Sequence, residues 1–452
     1  MTADSSYPPG GSSTAYQPLD NDLESASTSE RDYAWRRTTS KRIHWRTAAG
    51  GVAAGFLLGA VAFHTTSRLR RPDEALRLLD SSSSQLSTDT SDILSVPVRI
   101  HYHNDPPLNQ RDPIIPPDCP LPVVYTGEEQ YADIIVYNTD RSQSPTADEQ
   151  ADRREHKPWQ KTAVWGVESA PNRRSLEEHF QKLQEGKVNE TADFTMTYRL
   201  NSTVPALYSY DYLNYDNPPV PLERKRSDKI AAAFISNCHP KNSRTLILDE
   251  LMKLLPGKID SFGACRNNAN INDVLRELDA YEDAGDHSRW NEKITMISHY
   301  RFTVAFENSN DIDYATEKYF QALERGSVPL VFGPPDYAAR FFPSPTAGID
   351  LAEYLPSNYT ELSTSSSSPP DELTDEAKAG LARLAKRLEH LMSDEGKGEY
   401  EKMLAWKRSW RDDPNNPLAK IVGLSTSKWS QDCRLAGVYR GQAWAQNTWR
   451  AP

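Results

Sequence analysis

The chain has 452 residues, enough for two or three domains, yet only 37% of it is hydrophobic and 32 residues are proline. Part of that length therefore cannot bury a core. A net charge of −11 excludes a nucleic-acid partner, whose phosphates demand basic surface. Four well-separated cysteines, Cys119, Cys238, Cys265 and Cys433, lack zinc-type spacing and are even in number, which fits two disulfides in an oxidising compartment.

Residues 1–97 read as three segments. Residues 1–46 form a polar tail. Thr47 to Ser67, TAAGGVAAGFLLGAVAFHTTS, carries no Asp, Glu, Lys or Arg and has the length of roughly 20 residues that crosses a bilayer. An Ala/Gly-rich buried helix is the competing reading, but polar, low-complexity sequence flanks the segment on both sides. It starts too far into the chain for an ordinary signal peptide. Arg36, Arg37, Lys41, Arg42 and Arg46 precede it, and Arg68, Arg70 and Arg71 follow. That balance favours a cytosolic tail. Gly51, Gly55 and Gly59 have the spacing of helix-dimerisation faces, a hint of a homodimer. Residues 68–97, with SSSSQLSTDTSD from Ser81 to Asp92, form a Ser/Thr-rich stem that cannot bury a core. The rest is then lumenal, a single-pass type II layout shared by Golgi membrane enzymes and by many surface receptors. Three glycosylation sequons, at Asn189, Asn201 and Asn358, fall on that side.

From about Ile100 the pattern becomes strand and helix in alternation. ADIIVYN (Ala132 to Asn138) and TAVWGV (Thr162 to Val167) are short apolar runs suited to buried strands. KIAAAFIS (Lys229 to Ser236) predicts a strand, RTLILDELMKLLP an amphipathic helix stopped by proline, and KIDSFG the next strand. YRFTVAF, the helix after Asp313, and SVPLVFG repeat the unit. This is an α/β pattern of parallel sheets covered by helices. It divides near Arg226 into two Rossmann-like domains, 98–226 and 227–362, facing a cleft. Residues 363–377, which include STSSSSPPDELTD, read as a flexible insert, and 378–452 as C-terminal helices and a tail.

The densest polar cluster lies in FENSNDIDYATEKYFQALERGSVPLVFGPP, Phe306 to Pro335. Phe306 ends a strand, and Asp311 or Asp313 suits the N-cap of the following helix. Ala315, Tyr319, Ala322 and Leu323 mark that helix's packing face. Tyr314, Glu317 and Lys318 share another face over the first turn, able to stack a base, bind ribose hydroxyls and meet a phosphate. A capped helix with a solvated Glu/Lys pair explains the same spacing. Arg244, in the first turn of an earlier helix, opposes the dipole; it is either an exposed arginine or a phosphate ligand. Asp311-Ile312-Asp313 matches the Asp-x-Asp signature of metal-dependent sugar transferases.

Phe306–Pro335 resembles the hallmark motif of the alpha-1,3-fucosyltransferases, glycosyltransferase family 10. AAAFISNCHPKNSRTLILDEL followed by KIDSFGAC is similar to the first strand–helix–strand unit of their donor domain. WGVESAPN (Trp165 to Asn172) with FTMTYRLNSTVP is similar to their acceptor-side motif, and GEYEKMLAWK (Gly398 to Lys407) to a late Tyr/Trp helix. The similarity covers about residues 160–410. It implies a GT-B fold and inverting transfer of L-fucose from GDP-fucose to GlcNAc of a glycoprotein glycan. FISNC with DSFGAC is more similar to the plant and invertebrate type that modifies the N-glycan core. By the same resemblance Arg244 and Lys318 would face the diphosphate, Tyr314 and Glu317 the base and ribose, and Glu307 and Asn308 the sugar. Glu168, just past a strand, would be the catalytic base. No cofactor is required, a divalent metal being at most stimulatory, and the Asp-x-Asp is read as coincidental. Cys238 and Cys265 each follow a strand of one unit, so they would bridge, leaving Cys119 and Cys433 to tie the ends of the lumenal domain. Two other readings stay open: a metal-dependent glycosyltransferase using Asp311 and Asp313 with another sugar nucleotide, and an inactive membrane-tethered glycan-binding protein.

Overall fold

The structure, a computed structural model, describes residues 96–425 and 428–449. The tail, the span with its three glycines, and nearly all of the stem lie outside the described residues. Among the described residues no helix is long and apolar enough to cross a membrane.

Two five-stranded sheets form the framework. The first contains β1 (Val98–Tyr102), β2 (Val123–Tyr125), β3 (Ile134–Asn138), β4 (Lys161–Gly166) and β5 (Phe194–Thr197) in the order β2-β1-β3-β4-β5. The second contains β6 (Ala231–Ala233), β7 (Ile259–Ser261), β8 (Phe302–Phe306), β9 (Val328–Phe332) and β10 (Ile349–Asp350) in the order β10-β9-β8-β6-β7. Every pairing within the two sheets is parallel. Counted by their own strands, both sheets run 2-1-3-4-5, so each has a switch point beside its first strand, at β1/β3 and at β6/β8. Strands covered on both faces read as unbroken apolar runs. β3, β8 and β9 do so, and every residue in them is buried.

The helices of the first half are α1 (Ala147–His156) and α2 (Arg174–Gln184). Around the second sheet lie α3 (Arg244–Leu254), α4 (Ile271–Glu277), α5 (Arg289–Ser298), α6 (Glu317–Arg325) and α7 (Tyr337–Phe341). The chain ends in α8 (Asp375–Met392), α9 (Lys397–Met403), α10 (Pro417–Ser425) and α11 (Gln431–Tyr439). α8 buries Leu381, Leu384 and Leu388 with α3's Ile247 and Leu251 in the core of the second sheet. α11 instead returns to the first sheet. Its Cys433, Leu435 and Ala436 join Val98, Ile100 and Val136, and its Asp432 accepts from the hydroxyls of Tyr102 and Tyr125 at 2.6 and 2.7 Å. The cysteines pair as Cys119–Cys433 and Cys238–Cys265.

Residues 363–377 are not the free excursion their composition predicts. Ser363 N–H donates to the Asn310 carbonyl at 2.8 Å. Lys241 donates to the Ser365 carbonyl at 2.7 Å, and Ser365 N–H donates to Glu177 of α2 at 2.8 Å. Polar backbone and side chains on both halves thus fix a segment that has no core of its own. The insert also ends early, because Thr374 caps α8 by accepting from Ala377 N–H.

Candidate active site

A cleft of about 450 Å³ opens at the carboxyl ends of β6, β7 and β8 and reaches Glu168 of the first half. Glu168 follows β4, where its backbone is fixed by Asp140, which accepts from Val167 N–H at 3.3 Å and Glu168 N–H at 3.1 Å. The side chain is anchored through one oxygen. Oε1 accepts from Ser169 N–H (2.8 Å), Ser169 Oγ (3.2 Å), Asn172 Nδ2 (3.2 Å), Asn308 Nδ2 (3.3 Å) and the Tyr314 hydroxyl (2.8 Å). No described residue donates to Oε2. One oxygen is therefore spent on orientation by groups from both domains, while the lone pairs of the other meet no donor among the described residues.

The opposite wall is cationic. Arg244 opens α3 at the β6/β8 switch point and is buried; it donates to the carbonyls of Phe306 and Asn237 at 3.3 and 2.7 Å. Its Nε has no partner among the described residues, and burial lowers its pKa, which is the condition an incoming anion relieves. Lys318 donates to Thr316 Oγ1 at 2.9 Å and lies 3.2 Å from Glu317 and 3.5 Å from Glu307. Burial acts against its charge, but those two carboxylates hold its pKa above the ordinary value. Burial would raise Glu317, yet Lys318 and Lys293 bring it down to about 2. Both groups are thus ionised at neutral pH, with Lys293 3.9 Å from Glu317.

Several sequence assignments change here. The N-cap of α6 is Thr316, not Asp311 or Asp313. Asp311 instead accepts from Ala170 N–H (3.1 Å), Arg199 (3.0 Å) and the Tyr198 hydroxyl of the first half. Asp313, at φ 63°, accepts from Leu200 N–H at 3.0 Å and from Arg340. The Asp-x-Asp carboxylates are an interdomain latch. Among the described residues there is no group of three or more acidic, His or Cys side chains placed to hold a metal.

Tyr314 precedes α6 rather than lying on its first turn, and its hydroxyl is committed to Glu168. Glu307 is wholly buried, accepting from Thr316 N–H at 2.8 Å and Thr316 Oγ1. It supports Lys318 from beneath and is no sugar-pocket wall. Burial pushes its pKa up against the pull of Lys318. Asn308 does line the cleft, beside Glu168. Gly326 closes α6 in the left-handed region, and a Cβ there would meet Pro219 at 2.4 Å. The lining residues that spacing did not suggest include Phe234, Phe262, Asn272, Arg289 and Lys293. An arginine and a lysine four apart on α5 were the only local signal. Asn189, Asn201 and Asn358 are all exposed.

Residues 224–363 match the family model described as Glycosyltransferase family 10 (fucosyltransferase) C-term. The family-10 resemblance is borne out. The matched segment holds Arg244, Lys318 and the whole second sheet. Similar proteins include a fucosyltransferase-like protein of Arabidopsis thaliana, 30% identical over 60% of this chain and 44% of that protein. The GDP-fucose protein O-fucosyltransferase 3 of Gallus gallus is 29% identical over 61% of this chain and 50% of its own length. Its Mus musculus counterpart is 31% identical over 56% and 45%. The chain thus spans about half the length of the curated relatives it matches. An alpha1,3-fucosyltransferase crystallised with GDP-fucose aligns with 72% of this chain and 85% of its own at 14% identity, with a TM-score of 0.36.

Proposed function

We propose that this chain is an inverting fucosyltransferase of the GT-B type, moving L-fucose from GDP-fucose to a hydroxyl of a glycoprotein. The observation that carries the reading is the Glu168 carboxylate, pinned through Oε1 and open at Oε2, across a cleft from Arg244 and Lys318. In the proposed step Glu168 Oε2 takes the proton from the acceptor hydroxyl as that oxygen bonds to fucose C1 from the face opposite the diphosphate. The C1–O bond to the β-phosphate breaks, and its electron pair leaves on GDP. Charge grows there during the step, so Arg244, Lys318 and the amino end of α3 stabilise the transition state more than the ground state. Nothing need protonate the diphosphate, so one carboxylate suffices. Asp311 and Asp313 are spent on the latch, and the transfer is read as independent of an Asp-x-Asp metal.

The relatives named protein O-fucosyltransferase favour a Ser or Thr hydroxyl as acceptor. The motif pair FISNC and DSFGAC, quoted above, supports the second reading, an alpha-1,3 linkage to N-glycan core GlcNAc. Both use the same proton transfer. Two disulfides and three exposed sequons fit a lumenal, Golgi-membrane placement with residues 47–67 as the anchor. The test is transfer from GDP-fucose by the full chain to folded Ser/Thr-bearing protein domains, N-glycan core and N-acetyllactosamine, each with and without chelator. Fucose on protein hydroxyls is the expected product. Exclusive fucosylation of GlcNAc selects the second reading, and no transfer to any of the three sinks both.

A further inference from the structure

The far end of the cleft, away from Glu168, is an aromatic wall. Phe234 follows β6 and Phe262 follows β7; both are partly exposed, line the cleft and stack with centroids 5.2 Å apart and planes at 23°. Two devices hold the loops that carry them. Gly263 lies so close to Ile235 that a Cβ would sit 2.1 Å from its carbonyl oxygen, and the Cys238–Cys265 disulfide joins the same loops four residues past Phe234 and three past Phe262. Lys293 ties this wall to the rest of the site, 5.9 Å from the Phe234 ring and 3.9 Å from Glu317.

Beside the wall is an unmet hydrogen-bond acceptor. Asn272, in the first turn of α4, lines the cleft, and its Oδ1 is buried with no partner among the described residues. Its neighbour Asn270 is committed, accepting from Asn272 N–H and Asp273 N–H at 2.9 and 3.2 Å. A buried acceptor left without a donor is destabilising unless a ligand supplies one.

Strand order sets the sequence of groups. Asn308, with Glu168 of the first half against it, stands past β8, Arg244 between β8 and β6, and the aromatic pair with Asn272 at β6 and β7. Neighbouring strands are about 4.8 Å apart, so the line covers roughly 10 Å, matching a sugar, a diphosphate and a base laid across the sheet edge. The geometry points to Phe234 and Phe262 as the nucleobase platform and to Asn272 Oδ1 as the group that selects guanine. This rests on the nucleotide-sugar reading above and moves the base away from Tyr314. Guanine presents N1–H and N2–H donors on its pairing edge, whereas at the same two positions adenine presents a bare N1 acceptor and C2–H, its one donor, N6–H, standing where guanine has O6. An acceptor oxygen therefore receives the first and is left facing a lone pair by the second.

The test is titration of the full chain with GDP, IDP and ADP, followed by calorimetry or fluorescence. The unaltered chain should bind GDP about 10- to 100-fold more tightly than ADP, with IDP between them. Asn272→Ala should bring GDP and ADP within about threefold, and Asn272→Asp, which keeps an acceptor, should retain the preference. Phe234→Ala should weaken all three nucleotides together. A thermal melt of each variant reports whether it is folded. Tight GDP binding with an unchanged GDP/ADP ratio in Asn272→Ala overturns the assignment and leaves the fucosyl-transfer reading standing. Absence of binding to every nucleoside diphosphate overturns both.

Discussion

In the second sheet the β6/β8 switch point is open and holds a buried guanidinium whose Nε has no partner among the described residues. In the first sheet the equivalent β1/β3 point is bridged, Arg141 of the β3 loop pairing with Asp105 of the β1 loop at 2.8 Å. Asp140, next to Arg141, turns the other way and holds the backbone of Glu168. The same strand order is thus used once to receive a ligand and once to aim a side chain. The proposed base comes from the neighbouring β4 because that strand end faces the other domain. On this contrast, changes in the first half should alter turnover, and changes in the second half should alter nucleotide binding.

Glu168→Gln is the sharpest way to break the contrast. It removes the proton acceptor but keeps the amide oxygen for Ser169 and Tyr314. Transfer should fall by about 10²- to 10⁴-fold, with GDP affinity unchanged by equilibrium titration. A parallel loss of GDP affinity would place Glu168 among the nucleotide ligands and erase the division between halves.

The latch between the halves comes next. Asp311 is buried against Arg199 and Tyr198. Asp311→Ala strands that arginine, and such losses cost about 3–5 kcal/mol. The urea midpoint should drop accordingly, and chelator should change neither the parent chain nor the variant. A variant of parental stability that has become insensitive to added Mg²⁺ or Mn²⁺ would instead assign Asp311 to a metal.

These residues also show what a sequence can reveal. ADIIVYN, TAVWGV, YRFTVAF and SVPLVFG announce strands because burial on both faces leaves an unbroken apolar run, and Gly326 announces the end of α6 through its left-handed backbone. β2 and β10, three and two residues long, leave no such trace. The misread polar residues share a cause. Asp311 meets Tyr198 113 residues away, and Tyr314 meets Glu168 at a separation of 146. Local spacing carries helix-cap chemistry but no information on a partner in another domain. Thr316 is the cap residue by position, since α6 begins at Glu317, and its hydroxyl donates to Glu307 rather than capping the helix. Phe234, Phe262 and Asn272 are set on one wall by strand order, which no single segment encodes.

His179 on α2 tests the first half through pH. It is buried, and burial, with Lys182 and Arg199 nearby, lowers its pKa to about 4. In the unfolded chain the value is about 6.5. Between these values the unfolded state binds one more proton than the folded state, so stability falls as pH drops from about 6.5 towards 4. The loss attributable to His179 is at most about 3 kcal/mol. His179→Phe should flatten that part of the pH–stability curve measured by urea unfolding, while GDP affinity at neutral pH stays constant. An unchanged slope would show that His179 already carries its proton in the folded state.

The smallest expected effect separates positioning from nucleotide binding at the boundary itself. Tyr314 belongs to the second half but donates to Glu168 of the first at 2.8 Å. Tyr314→Phe removes one of five donors to Oε1 and leaves the ring packed edge-on to Tyr198, 5.0 Å between centroids. A hydrogen bond to a charged group contributes about 1.5–3 kcal/mol, and four remaining donors place the loss at the lower end. kcat should fall about tenfold with little change in KM for GDP-fucose, because the carboxylate wanders while the nucleotide contacts stay intact. A rise in KM with kcat preserved would return Tyr314 to the base and ribose, and with it the division of labour between the two sheets would fail at the residue where they meet.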